Sequence, residues 1–587
     1  LLAGPVFSRE IVTAPRRARL YASRAAYAGV LLVLLSTAWQ VLAGSRSIRT
    51  IDDLAQFSIT AFQVIAPLQL VVAVFLGAVS AAVSVAQEKD RRTLDLLLIT
   101  RLHNGELVVG KLLASLLPVF TFLLAGAPIF ALMALWGGLS FDQIGRVLLV
   151  TLLGVLASGS LGSTLGLWRE KTFQTVALTT LAIVFWTITW EAIARGALLG
   201  VWPQLDAHAA IMCSPWHAVL AALKPLPRDE AWLPGLSNAL VGFVMVSCGG
   251  TVLLNAIAAW RIRAWNIAAD ARRRASAPAE ESVNIETATS PRKTVAKPSR
   301  EVWDNPVLWR EVCTWAYGRR TVLTRFAYAI IVVLGVAAVM RLGQATLPIP
   351  RLDAAMSLTP IFLLSLLLIN AQSVTSITSE RDVRALDLLL VTDITPTEFV
   401  FGKLGGALFN VKEMIVAPLA LSAYLCWVGG IGVENLIYLV IGWLVLVTFA
   451  AVLGLHAGLS YVHSRAAIGV SLGTLFFLFI GIATTMRIMV AFSGSFEFQL
   501  QPFLAAMVGG GVGLYIALGA RNPSPAIRGA ALLCPFATFY ALTSFLLNYP
   551  LAVLLVVTAM YGFTTAAMLV PAIAEFDVAT GRTNFDE

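Results

Sequence analysis

The chain is poor in charge: only 13% of its 587 residues are Asp, Glu, Lys or Arg, while 58% are hydrophobic. Soluble domains carry about 25% charged and 45–50% apolar residues, so a water-soluble globular protein is excluded. Cysteine and histidine are scarce, at five each. Cys213, Cys248, Cys313, Cys426 and Cys534 are scattered, without a CxxC pair or a histidine cluster beside them. Neither a disulfide framework nor a metal site is expected. A phosphate cradle is missing as well. Gly105 to Lys111 spells GxxxxGK, but Leu112 stands where a P-loop needs Ser or Thr for magnesium, and the segment runs into an apolar span. No catalytic residue, cofactor site or nucleotide site is expected on this chain. The net charge of +9 lies in the segments that flank apolar runs, with no compact basic and aromatic patch, so nucleic acid is not an expected partner.

What the chain has instead is long apolar runs. In the first half they lie near 25–43, 60–86, 107–136, 145–168, 174–200 and 236–260. In the second half they lie near 325–343, 355–377, 398–428, 434–461 and 465–490, with a return span near the end. Runs of roughly 20 residues cross a bilayer as helices, which predicts an all-α polytopic membrane protein. Residues 266–302, rich in Ala, Ser, Pro, Glu, Thr and Arg, have no apolar period and read as a disordered linker between two units, 1–265 and 303–587.

A duplication underlies this plan. Glu88 to Leu112, EKDRRTLDLLLITRLHNGELVVGKL, returns at Glu380 to Leu404 as ERDVRALDLLLVTDITPTEFVFGKL, a shift of 380 − 88 = 292 with fourteen of 25 positions identical. PVFSRE near the start returns as PVLWRE at Pro306 to Glu311. Residues 1–43 imitate a signal peptide, and this recurrence in mid-chain argues that the segment is retained. The shift grows to 535 − 215 = 320 between Pro215 and Pro535, so the second half carries an insert near 496–523. Two homologous six-span bundles are expected, twelve core spans in all, or fourteen if the run 501–520 and the run 530–547 both cross. The short first-half counterpart, 209–223, suits an outer re-entrant hairpin. An even number of spans per half gives both copies one orientation and puts a pathway between them. The side bearing Arg9, Arg16, Arg17, Arg19, Arg24 and Arg272 to Arg274 is expected to be cytoplasmic, with the N-terminus and linker on that side of a cell inner membrane.

The repeated polar stretch reads as a short helix on the membrane surface. Glu88 and Arg92 stand at i,i+4 and Arg92 and Asp95 at i,i+3, opposite a stripe of Leu94, Leu97 and Leu98. Thr395-Pro396-Thr397-Glu398 predicts a capping box that opens the next helix. Lys111 and Lys403 are expected to snorkel to the headgroups. Phe7, Ile11 and Leu20 in the first half, and Trp309, Val312 and Tyr317 in the second, suggest interfacial helices leading into the first span.

The form E-[KR]-x-x-x-T-L-D-x-L-L followed by G-K-L, present twice, resembles the permeases of the type-2 ABC exporter family. The resemblance implies a coupling helix that docks on a separate P-loop ATPase, itself a dimer that binds ATP, and a permease that moves a substrate this sequence does not identify through membrane lipid. Glu88, Arg92, Asp95, Glu380, Arg384 and Asp387 are the expected ATPase contacts. The second copy departs from the pattern at Val383 and Ala385, where the first has Arg91 and Thr93. An ion-coupled secondary transporter, or a membrane anchor for an ATPase-driven envelope or motility machine, is the alternative. Lys412 and Glu413, about 15 Å into the third span of the second half, are candidate pathway residues, or a structural pair between helices. Glu191 and Arg195 are expected to bond to each other, and His456 and His463 to be ordinary helix and loop residues.

Overall fold

A computed structural model of the chain describes residues 4–13, 18–45, 51–194, 203–225, 239–276, 303–313, 321–345, 351–491, 496–519 and 524–576. Arg16, Arg17, Arg195, Tyr317 and the linker from 277 to 302 lie outside the described residues. The first half comprises α1 (Gly4–Thr13), α2 (Ala18–Ser45), α3 (Ile51–Asp90), α4 (Thr93–Ile99), α5 (Asn104–Leu135), α6 (Phe141–Trp168), α7 (Thr172–Ala194), α8 (Pro203–Cys213), α9 (Pro215–Ala222) and α10 (Ala239–Ser276). The second comprises α11 (Pro306–Cys313), α12 (Thr321–Ala345), α13 (Arg351–Asp382), α14 (Ala385–Leu390), α15 (Pro396–Asn410), α16 (Lys412–Trp427), α17 (Val433–Ser460), α18 (Ser464–Phe476), α19 (Ile482–Ala491), α20 (Phe496–Leu518), α21 (Pro525–Leu546) and α22 (Pro550–Ala574). A π-helical turn at Phe477–Gly481 joins α18 to α19.

Among the described residues, eleven helices are long and apolar enough to cross a membrane, and α15 with α16, bent by 55°, makes a twelfth if the pair is one span. The protein is an all-α, multi-pass membrane protein. Around Pro215 the described residues of the first half form the short α8 and α9, as the length of the stretch predicts. The second half has α21, which passes as a span, and α20, whose apolar part Phe503–Leu518 is shorter. The eleven residues from 266 to 276 continue α10 as helix rather than opening the linker.

The same close approach is used in both halves. α3 packs on α6 and α13 on α17, each through a Gly-xxx-Gly pair: Gly162 and Gly166 in α6, Gly454 and Gly458 in α17. A Cβ at Gly162 would run into the carbonyl oxygen of Ala78, and one at Gly454 would lie 2.7 Å from that of Asn370. Small residues let backbones approach in a medium where burying apolar surface gives helices no reason to associate. Between the halves, Phe75, Val79 and Val83 of α3 and Phe173, Val176, Ala177 and Leu181 of α7 join the same buried cluster as Leu367, Ala371 and Ile468. The rings of Phe75 and Phe476 lie 4.4 Å apart on this seam.

Candidate functional site

At the ends of α3 and α13 the duplicated polar stretch folds as a turn. α3 ends at Asp90, Arg92 takes a left-handed conformation (φ 57°), and α4 starts at Thr93. In the second copy Arg384 does the same (φ 60°) between α13 and α14. Glu88 and Arg92 therefore do not share a helix face as the i,i+4 spacing predicts, because one left-handed residue resets the helical phase. The leucine stripe holds: Leu94 is buried, and Leu97 and Leu98 pack with it against Val85, Leu107, Leu167 and Ile262.

The charges just before the turn point inward. Lys89 donates to the carbonyls of Leu167 and Arg169, the latter at 3.1 Å, and Arg381 donates to those of Leu459 and Tyr461. A cation thus satisfies the last carbonyls of α6 and of α17, where the helix dipole favours it. Asp90 accepts from the Thr172 hydroxyl at 2.6 Å, and Asp382 accepts from Ser464, each acid sitting at the start of the helix that follows. All these donors and acceptors recur at the 292 shift.

Glu88 and Glu380 also turn inward. Glu88 is paired with Lys111. Lys403, almost wholly buried, bonds Glu380 at 2.7 Å and Glu311 of α11 at 2.6 Å, and Arg310 donates to both carboxylates. The snorkelling expectation for Lys111 and Lys403 is thus corrected: both lysines find a carboxylate inside the protein, which a desolvated ammonium needs. Burial works against the Arg310 charge, but Glu380 and Glu311 outweigh it and hold the guanidinium above its usual pKa. α11 can come this close because Gly402, Gly405 and Gly406 of α15 face it. A Cβ at Gly402 would lie 2.7 Å from that of Val307, and one at Gly406 would collide with Glu311. Asn305 fixes the start of α11, accepting from the Leu308 amide at 2.9 Å and donating to the Glu398 carbonyl at 2.9 Å. The capping box at Thr395 and Glu398 is present as the sequence predicts, with bonds of 3.0 and 3.3 Å.

The two turns meet. Arg91 bonds Asp382 at 2.9 Å, so both copies lie at the same end of the bundle. Outward from this junction, Arg92, Arg384 and Asp387 are exposed and Asp95 is half-buried. So are four apolar residues at matching positions: Leu96 (66% exposed), Ile99 (81%), Leu388 (74%) and Val391 (86%). The sequence signal for these four was their place off the leucine stripe. The signal for Arg310 and Glu311 was the repeated Arg-Glu of PVFSRE and PVLWRE.

Lys412 and Glu413 sit at the break between α15 and α16. Arg325 of α12 pairs with Glu413 at 3.3 Å and donates to the Asn410 carbonyl that the break leaves free, while Lys412 lies 4.3 Å from the ring of Phe409. Glu413 is thus paired across helices with Arg325 rather than with Lys412. Glu191 is 3.0 Å from His217 of α9; its expected partner Arg195 lies outside the described residues. His456 bonds the Leu518 carbonyl at 2.8 Å, and His463 precedes the first turn of α18. Among the described residues no group of His, Cys, Asp and Glu could hold a metal ion.

No curated protein and no solved structure was found to match the chain. Residues 43–211, which contain the whole first polar turn, match the family model described as ABC-2 family transporter protein, and the match supports reading the chain as an ABC-2 type membrane permease, a transmembrane subunit that works with an ATPase.

Proposed function

We propose that the chain is the membrane part of an ATP-driven ABC exporter, with two homologous permease halves fused through the segment 266–302. A separate P-loop ATPase, acting as a dimer, binds ATP and docks at the end of the bundle where the two turns meet. That end faces the cytoplasm of a cell whose inner membrane holds the protein. The observation that carries the proposal is the Arg91–Asp382 ion pair, which brings the ends of α3 and α13 together. Each end leads into a short helix, α4 or α14, held from behind by buried leucines and offering a matched apolar pair to the outside. Apolar side chains so exposed beyond a membrane bundle call for a partner.

Leu96, Ile99, Leu388 and Val391 are assigned the centre of each contact, with Arg92, Asp95, Arg384 and Asp387 around them. Glu88 and Glu380 act as positioning residues that fix the turns from within. When the ATPase dimer closes, it draws the turns with it, and α3 and α13 carry the displacement to the seam at Phe75 and Phe476. The test is co-purification with the P-loop ATPase subunits of the same cell. Replacing Leu96 and Ile99, or Leu388 and Val391, by serine should abolish association while detergent stability stays unchanged. Full association in both double variants would overturn the docking assignment.

A further inference from the structure

The two polar turns are not equivalent behind their surfaces. In the second half the space between α11, α13 and α15 is filled by Glu311, Glu380, Arg310 and Lys403, two acids against two bases. In the first half the matching place holds a cavity of about 310 Å³, lined by Arg9 of α1, Ser84 and Glu88 of α3, Leu97 of α4, and Lys111 and Ser115 of α5. A further lining residue comes from the other half: Arg465 of α18. The residue 292 positions before Arg465 is Phe173, buried in the apolar cluster that runs through the second half. One half thus receives a phenyl ring from its neighbour and the other receives a guanidinium.

The charge count follows. Arg9, Lys111 and Arg465 line the cavity together with Glu88, three bases and one acid, whereas the cluster of the second half sets two acids against two bases. The cavity is half open and far larger than a single water needs. The hydroxyls of Ser84 and Ser115 line it too. Arginine, lysine and hydroxyl groups around a cavity are the donor set that phosphate oxygens take.

We propose that this cavity binds a phosphate group, either of an anionic lipid headgroup or of a small soluble phosphate, and that the bound phosphate ties α18 of the second half to α1, α3 and α5 of the first. The site does not depend on how the ATPase docks. It predicts a ligand on one half only.

The experiment measures thermal unfolding of the purified full-length protein in nanodiscs of phosphatidylcholine. Phosphatidylglycerol is titrated in one arm and inorganic phosphate in the other. Wild type should gain stability in at least one arm. Arg465→Phe, which copies the second half, and Arg9→Gln, at an exposed position that leaves the fold alone, should each need about tenfold more ligand for the same gain. A gain with phosphatidylglycerol alone identifies a lipid headgroup, and a gain with inorganic phosphate identifies a soluble ligand. No gain in wild type in either arm, or the same midpoint in wild type and Arg9→Gln, would overturn the site.

Discussion

Arg91 and Asp382 stand 2.9 Å apart although 291 residues separate them in the chain, and their ion pair joins the end of α3 to the end of α13. The partner position to Arg91 in the second copy is Val383, and Asp90 has its bond to Thr172 instead, so the stitch runs one way only. Any motion that parts the two turns must break it. Arg91 is 43% exposed, so water screens the pair. A double-mutant cycle of Arg91→Val and Asp382→Asn, followed by unfolding in detergent, should give a coupling of about 0.5–1 kcal/mol. Coupling indistinguishable from zero would show that the halves are not held together here.

The buried ion cluster should behave differently. Lys403 and Glu311 are each about 1% exposed, and Lys403 serves both Glu311 and Glu380. Replacing Lys403 by Met takes a buried cationic partner from both carboxylates, and stripping one member from such a cluster costs on the order of 3–5 kcal/mol. Lys111 and Glu88 are 18% and 24% exposed, so Lys111→Met should cost far less. Detergent melting of the two variants checks the order. Equal losses would mean that the cluster is not desolvated as its burial indicates.

The left-handed turns can be tested apart from their charge. Arg92 and Arg384 pay a conformational penalty at φ near 60° that glycine does not. Arg92→Gly should be neutral to slightly stabilising, whereas Arg92→Val, branched at Cβ, should lose about 1–2 kcal/mol. If Arg92→Gly is as stable as wild type but binds the ATPase less well, the guanidinium serves docking rather than folding. A valine variant as stable as the glycine variant would remove the turn conformation from the account.

Much of this architecture could be read in the chain itself. Span positions follow from long apolar runs, because a bilayer sets the length of a helix. The capping box at Thr395 follows from local chemistry. The direction of Glu88 and Glu380 could not be read, since their partners are 23 residues on, two helices further along, at Lys111 and Lys403, and helical spacing speaks only for neighbours within one helix. It was lost again at Arg92, where a single left-handed residue broke the i,i+4 register. The bend at Val411 was hidden for another reason. Its first-half counterpart, α5, carries Pro118 and Pro128 yet is one helix of 32 residues, while the second half breaks beside Asn410. The break is held by Arg325, a residue far off in sequence.

The last prediction concerns the charges themselves. If all six repeated charges met the ATPase from a free surface, reversing any of them would change binding and leave stability within about 0.5 kcal/mol. The structure divides them. Arg384 and Asp387 are exposed on α14, whereas Glu380 is bonded to Lys403 and Arg310. Glu380→Lys would place a third cation against Lys403 and Arg310 and strand Glu311's neighbour, so the protein should express poorly and unfold early in detergent. Arg384→Glu with Asp387→Lys disturbs no buried contact, so the protein should remain stable and lose association with the ATPase. Size-exclusion profiles and melting of the purified variants, read alongside co-purification, separate the two classes. A stable Glu380→Lys protein that merely fails to bind the ATPase would return Glu380 to the docking surface and take away its positioning role. A destabilised Arg384→Glu, Asp387→Lys protein would show instead that α14 is packed against something other than the partner.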